Sequence, residues 1–139
     1  MPVKHSANRN KRTRKETRDL DFRIGFMEGI VRRDRRYVEA LQILGDLYTQ
    51  RGRYEHSLKV DKRLSRLEPG NPNVFYNLAC SHALTGRFKL AAAALEKALR
   101  LGYRDFKWIA RDPDLRYLRK HPLFHRIQAE IHRIKVRAA

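Results

Sequence analysis

Two stretches of this chain align with each other at a constant offset of 34 residues, and the alignment needs no gap. Leu44-Gly45 recurs as Leu78-Ala79, and Gly52-Arg53-Tyr54 recurs as Gly86-Arg87-Phe88. A period of this length is typical of arrays of paired helices, in which each pair packs against the next. Arrays of this kind usually present a surface to a macromolecular partner.

Within each stretch, apolar residues recur at helical spacing. Leu41 and Leu44 belong to one apolar stripe, and Gly52 then permits a tight turn into a second helix. The run Pro69-Gly70-Asn71-Pro72 ends that second helix and places a proline in the first turn of the next one. The scheme then repeats, which predicts two helix pairs over residues 37–105.

This pattern resembles the tetratricopeptide repeat. The positions that match its signature are Leu41 and Phe75, Leu44 and Leu78, Gly45 and Ala79, Tyr48, Ser57 and Ala91, Leu95, Ala98, and Pro69. Three residues depart from the signature: Asp61 replaces a large apolar residue, Leu64 a small one and His82 a tyrosine. The resemblance implies an all-α fold, a right-handed superhelical array of antiparallel helix pairs, and a non-enzymatic interaction module.

Two repeats alone would leave an apolar face uncovered at each end, so we expect flanking helices to cap the array. Before the repeats, Leu20 and Ile24 fall on one helical face, with Asp19 as the expected N-cap. These residues stand in the register of a second helix, which predicts a half-repeat helix over residues 19–36.

After the repeats, residues 106–139 are predicted to form C-terminal capping helices with a basic outer face. A short helix should end at Asp112-Pro113, and a longer one should follow Pro122 with Phe124 facing inward. The segment from Asp112 to Phe124 resembles the closing segment of short bacterial tetratricopeptide proteins.

The formal net charge is +17, and both ends of the chain are rich in lysine and arginine. Residues 1–18 are predicted to be a basic disordered arm, since the run 8–15 lacks apolar side chains. This charge suggests a polyanionic partner, namely nucleic acid, a ribosomal surface or an acidic protein. The predicted nucleic-acid-binding residues are Arg9, Lys11, Arg12, Arg14, Lys15, Arg18, Arg126, Arg133, Lys135 and Arg137. The alternative is a solvated tail that only aids solubility.

A second predicted site follows from the resemblance, because the first helix of each pair lines a concave groove in that family. The residues expected there are Gln42, Asp46, Asn73, Asn77, Lys107 and Arg111. Asn77, Lys107 and Arg111 have the spacing by which some members clamp the carboxylates of an acidic chaperone tail. The first repeat offers Gln42 and Asp46 where that clamp needs lysine and asparagine, so a solvated polar face is the alternative.

The sequence gives little support for a catalytic site or a metal site. Cys80 is the single cysteine, which excludes an intrachain disulfide, and we expect it to pack as a small apolar residue. His121 and His125 have metal-ligand spacing, but Pro122 interrupts the turn between them. We expect no metal, no cofactor, no small-molecule substrate and no membrane contact.

The leading interpretation is a cytoplasmic interaction module associated with a ribonucleoprotein such as the ribosome. Its basic arm and C-terminal helix would hold RNA, and the repeat face would contact protein. The cytoplasmic location is expected because no secretory signal is recognisable. The alternative function is an adaptor that binds an acidic or extended peptide in the concave groove.

Overall fold

The computed structural model describes residues 11–139, and within that range the chain is helical with no β-strand. The helices are α1 (Arg14–Arg33), α2 (Val38–Arg51), α3 (Tyr54–Leu67), α4 (Pro72–Leu84), α5 (Phe88–Arg100), α6 (Phe106–Ile109), α7 (Arg116–Arg119) and α8 (Phe124–Ala138). A 3₁₀ turn at Pro113–Leu115 precedes α7. The prediction of an all-α array of helix pairs is confirmed.

Helix α1 begins earlier than expected. Thr13, rather than Asp19, is its N-cap: the Glu16 amide donates to the Thr13 hydroxyl at 3.1 Å, and the Thr13 amide donates to the Glu16 carboxylate at 3.4 Å. This reciprocal pair is a capping box, which satisfies two amides that a helix start leaves unpaired. The prediction of a disordered arm over residues 1–18 is therefore wrong for residues 14–18, and residues 1–10 lie outside the described range.

The two helix pairs turn in the same way. Gly52 and Gly86 follow α2 and α4 with φ angles of 84° and 76°, a left-handed conformation that glycine adopts without a steric penalty. The amides that follow them, on Arg53 and Arg87, donate back to Tyr48 and His82 carbonyls at 2.8 Å in both cases. Equal turns allow α2 and α4 to pack on α3 and α5 in the same way.

A buried polar network explains one departure from the repeat signature. The Ser57 hydroxyl lies 2.8 Å from the Thr49 hydroxyl and 3.3 Å from that of Ser81. Ser81 in turn donates to the buried Asp61 carboxylate at 2.5 Å. Asp61 can therefore replace a large apolar residue, because its buried oxygen receives a hydrogen bond from the neighbouring repeat.

Apolar packing forms two clusters along the array. The first holds side chains of α1, α2 and α3, together with Val74 from the start of α4. The second holds side chains of α4 and α5 with those of α6, α7 and α8. Since α1 packs on α2 and α8 packs on α5, these two terminal helices lie at opposite ends of the array.

The segment between α5 and α8 folds back onto α4. Asp105 caps α6 by accepting from the Trp108 amide at 3.1 Å. The Arg119 guanidinium donates to the carbonyls of Ile109 and Asp112 at 2.9 and 2.7 Å. These bonds hold α6, the residues after it and α7 together, and the 3₁₀ turn at Pro113–Leu115 packs on α4.

Candidate interaction surfaces

The concave side of α4 is covered by the chain itself. Tyr76 is fully buried, and its hydroxyl donates to the Asp112 carboxylate at 2.6 Å. The Cys80 thiol lies 3.6 Å from the same carboxylate oxygen. Asn77 keeps only 5% of its surface exposed. The prediction that Asn77 contacts a peptide in an open groove is corrected, because its side chain is buried.

The other predicted groove residues remain at the surface. Lys107 and Arg111 are exposed, whereas Gln42 and Asn73 are half-buried. Asp46 is half-buried too, and its carboxylate accepts from the Gln50 amide at 2.9 Å. Two cations of the clamp pattern are thus accessible, but the asparagine that should complete it is buried.

The predicted nucleic-acid-binding residues near the N-terminus lie around the start of α1. Arg9 lies outside the described residues. The exposed members are Lys11, Arg14, Lys15 and Arg18. Arg12 is half-buried, since its guanidinium donates to the Gln50 carbonyl in the last turn of α2 at 2.9 Å. The contact from Arg12 ties the beginning of α1 to the end of α2.

The predicted nucleic-acid-binding residues near the C-terminus lie on α8, and some of them form contacts with other side chains of the protein. Arg126 forms an ion pair with Glu96 at 2.5 Å, and Arg133 forms one with Glu130 at 2.6 Å. The Lys135 ammonium lies 5.5 Å from the centre of the Phe106 ring, and Arg137 is exposed. Because α8 and α1 are at opposite ends, the structure does not join the two predicted sets into one surface.

A cationic site that the sequence analysis missed lies between the end of α1 and the outer side of α3. Here a cavity of about 320 Å³ is lined by five basic side chains over an apolar floor. We call these residues the basic pocket: Arg32, Arg35, His56, Lys59 and Arg63. Within residues 11–139, none of its three arginines or its lysine forms an ion pair with a carboxylate.

One acidic residue, Glu28, also lines this cavity. The Glu28 carboxylate accepts a hydrogen bond from the Tyr48 hydroxyl at 2.5 Å. Burial, together with this bond, raises the pKa of Tyr48 well above its ordinary value, so the phenol remains a donor at neutral pH. Three arginines and one lysine outnumber Glu28 in the lining of this cavity, and an anion bound there would reduce the repulsion among them.

Part of the basic pocket could have been recognised from the sequence. His56, Lys59 and Arg63 recur at helical spacing, which places them along one face of α3. Arg32 and Arg35 come from the end of α1 and the turn after it. Their meeting depends on how α1 packs in the array, and no local pattern encodes that.

The residues that could act as metal ligands form hydrogen bonds within the protein. Cys80, Asp112 and Asp114 are buried with potential ligand atoms within 4.8 Å of one another. The Asp112 carboxylate accepts from Tyr76 and from the Asp114 amide, and burial raises its pKa above the ordinary value. His121 accepts from the Leu123 amide at 3.1 Å through Nδ1. Within residues 11–139, no helix has the length and apolar character needed to cross a bilayer.

Comparison with known proteins agrees with this architecture. Residues 72–101 match the family model described as tetratricopeptide repeat, and this range contains α4 and α5. Residues 72–101 therefore form a tetratricopeptide repeat, in agreement with the 34-residue offset. The class of protein that the fold and this match define is an interaction module for protein partners.

A plant relative was also found. The chain is 38% identical over 76 residues to a protein of Arabidopsis thaliana whose name describes it as chloroplastic. That alignment covers 52% of this chain and 23% of the relative, so the chain spans less than a quarter of the relative's length.

Proposed function

We propose that this tetratricopeptide protein binds a ribonucleoprotein, such as a ribosome-associated complex, and does so without catalysing a reaction. The observation that carries the proposal is the basic pocket, in which Arg32, Arg35, Lys59 and Arg63 surround one cavity and, within residues 11–139, form no ion pair with a carboxylate. RNA supplies the complementary charge as a chain of phosphates, each of which an arginine can contact with two parallel hydrogen bonds.

Further cations extend the surface that a phosphate chain could follow. Arg14, Lys15 and Arg18 are exposed in the first turns of α1, and Arg137 is exposed near the end of α8. Arg126 and Arg133 are held by Glu96 and Glu130, so they contribute less free charge. We therefore assign the main RNA contact to the basic pocket and the start of α1.

A direct binding experiment tests this function. Fluorescently labelled ribosomal RNA fragments are titrated with the full chain at several salt concentrations. We expect Arg32→Gln/Arg63→Gln to weaken binding at least tenfold, because two phosphate contacts are lost. The matched control is Arg66→Gln/Lys89→Gln, which removes the same charge from exposed positions outside the pocket. Equal losses in the two double variants would refute a specific role for the basic pocket.

The cellular partner is tested by affinity purification at moderate salt, with and without nuclease. Recovery of one discrete ribonucleoprotein that nuclease disperses would support the proposal. Recovery of a single protein that survives nuclease would refute it. We propose a cytoplasmic location for this chain, although the name of the Arabidopsis relative assigns that protein to the chloroplast. Imaging of a C-terminally tagged chain checks this point.

A second candidate function is an adaptor that binds an acidic peptide in the concave groove. It is favoured by the exposure of Lys107 and Arg111, which are four residues apart in the segment that covers α4. Arg111→Glu should abolish binding of an acidic peptide with a free C-terminus while leaving RNA binding intact. A peptide that binds this variant as tightly as the original chain would exclude the groove.

A further inference from the structure

An apolar groove lies between α1 and α2, away from the basic pocket. Phe22 and Phe26 are 75% and 63% exposed on α1, and Ile43 is 47% exposed on the facing side of α2. With Met27 and Leu47 they line a cavity of about 340 Å³. Large apolar side chains gathered in this way are unusual on a soluble surface and mark sites of association.

Positions one and two periods later in the chain show how residues of this groove would be covered in a complete array. Phe26 shares its register with Val60 and Ala94, one and two periods later, and each of these is only 8% exposed. Ile43 shares its register with Asn77, which is 5% exposed. Val60 on α3 lies in one apolar cluster with Val31 of α1, the helix that stands one period earlier in the array.

For α1, no described helix precedes it in the array. The groove therefore has the position that the first helix of a preceding pair would fill. Tetratricopeptide helices pack as pairs, and α1 stands in the register of a second helix without its first. A helix in this position would cover Phe26 and Ile43, and Phe22 lines the same groove.

Charge indicates the kind of helix that fits. Four cations flank the phenylalanines on the outward side of α1: Lys15, Arg18, Arg23 and Arg33. All four are exposed, and within residues 11–139 none of them pairs with a carboxylate. Asp19 is acidic on the same stripe, and Glu39 is the exposed acid on the α2 side of the groove. Acidic residues of an occupant thus belong on the side that faces α1.

Two other occupants fit less well. A second copy of this chain would bring the same cations face to face, which opposes association in a protein of net charge +17. Residues 1–10 carry Met1 and Val3 as their large aliphatic side chains, along with Lys4 and Arg9. That composition supplies neither the apolar stripe nor the acidic flank that the groove requires.

We propose that the groove between α1 and α2 docks an amphipathic helix of a partner protein, with an apolar stripe against Phe22, Phe26 and Ile43 and acidic residues beside the cations of α1. This mode of recognition places apolar residues at spacings of three and four along the partner helix. The proposal goes beyond RNA binding, because it uses residues that the basic pocket does not contain.

The test begins with a phage-displayed library of helical peptides selected on the full chain. The selected peptides should combine an apolar stripe at helical spacing with glutamate or aspartate along one flank. The affinity of one selected peptide is then measured by fluorescence anisotropy. Phe22→Ser/Phe26→Ser should bind it at least about 30-fold more weakly, the loss typical of aromatic anchors at the centre of an interface.

The matched control is Leu90→Ser. Leu90 occupies the register of Phe22 two periods later and is 52% exposed, so its loss removes a similar side chain outside the groove. This variant should bind the peptide as the original chain does. Circular dichroism establishes that the variants are folded, and Arg23→Glu provides an independent variant that should repel an acidic peptide without removing apolar surface.

Three results would overturn the proposal. The first is a set of selected peptides without acidic residues, and the second is equal affinity for the original chain and the double phenylalanine variant. The third is a concentration-dependent dimer in analytical ultracentrifugation that the double variant abolishes, since the occupant would then be a second copy. Loss of peptide binding with RNA binding retained separates this surface from the proposed function.

Discussion

Tyr76 on α4 and Asp112 after α6 are joined by a hydrogen bond of 2.6 Å across 36 residues of sequence. The donor is a phenol that is fully buried, and the acceptor carboxylate is fully buried as well. The Tyr103 ring stacks on Tyr76 with 4.2 Å between the ring centres. This contact attaches the C-terminal segment to the second repeat and replaces an open groove with protein core.

We predict that Tyr76→Phe lowers the free energy of unfolding by about 1–3 kcal/mol, because it leaves a buried carboxylate oxygen without its main donor. The Cys80 thiol, at 3.6 Å from that oxygen, is a weak substitute. Urea denaturation measures the change. Tyr117→Phe is the control, because Tyr117 is exposed. Equal effects of the two substitutions would show that the hydrogen bond does not stabilise the fold.

A second prediction concerns pH. His82 is buried on α4, and its Nδ1 has no hydrogen-bond partner within the described residues. Burial, followed by the nearby charges of Lys62 and Arg87, lowers the pKa of His82 below 6.5, and Asp61 offsets this in part. Below about pH 6.5 the unfolded chain therefore binds a proton that the folded chain does not.

The free energy of unfolding should consequently fall as the pH drops below about 6.5, until the folded-state pKa of His82 is reached. This residue contributes at most about 1.4 kcal/mol per pH unit in that window. Denaturation between pH 5 and 7.5 measures the slope, and His82→Gln should reduce it. His125→Gln, at an exposed position on α8, is the control. An unchanged slope in His82→Gln would contradict the prediction.

The capping box at Thr13 gives a third prediction. Thr13→Ala should cost about 1 kcal/mol, because the Glu16 amide loses its acceptor at the start of α1. Hydrogen exchange of the amides in the first turns of α1 should become faster. Thr17→Ala is the control, since the Thr17 hydroxyl donates to the Thr13 carbonyl and lies outside the reciprocal pair. Unchanged exchange in Thr13→Ala would show that other contacts hold this end.

A fourth prediction concerns the salt dependence of RNA binding. Each phosphate that a cation neutralises releases a counterion, which contributes about 0.7 to the slope of log affinity against log salt on single strands. Arg32→Gln/Arg63→Gln should therefore reduce the magnitude of that slope by about 1.4. Titrations between 50 and about 300 mM salt measure it. A weaker affinity with an unchanged slope would indicate that these arginines do not contact phosphate.

Much of the fold followed from local patterns. The 34-residue offset, the glycine at each turn and the run Pro69–Pro72 predicted where α2 to α5 lie. Neighbouring residues also encode the start of α1, through the Thr13–Glu16 capping box. The density of charge around this motif nevertheless favoured the prediction of a disordered arm. The helix forms despite this charged composition, because the capping motif supplies hydrogen-bond acceptors to particular backbone amides at its start.

The candidate surfaces were less accessible to sequence reasoning. Asn77 matched a peptide-binding pattern but is buried, whereas no local pattern predicted that Arg32 and Arg63 would share one cavity. Phe22 and Phe26 stand outside the helical face on which Leu20 and Ile24 were predicted to lie. They are exposed because they point to the side of α1 opposite its buried residues.

The sequence by itself therefore determined the repeat, its helices and its turns, because periodicity and backbone geometry depend on residues near each other in the chain. Only the tertiary structure decided which faces are covered and which are free. Asp112 covers α4, and the end of α1 and the turn after it bring two arginines to α3. No helix among residues 11–139 covers the side of α1 that carries Phe26. These outcomes depend on contacts between distant segments, and burial and charge are settled only when those segments pack.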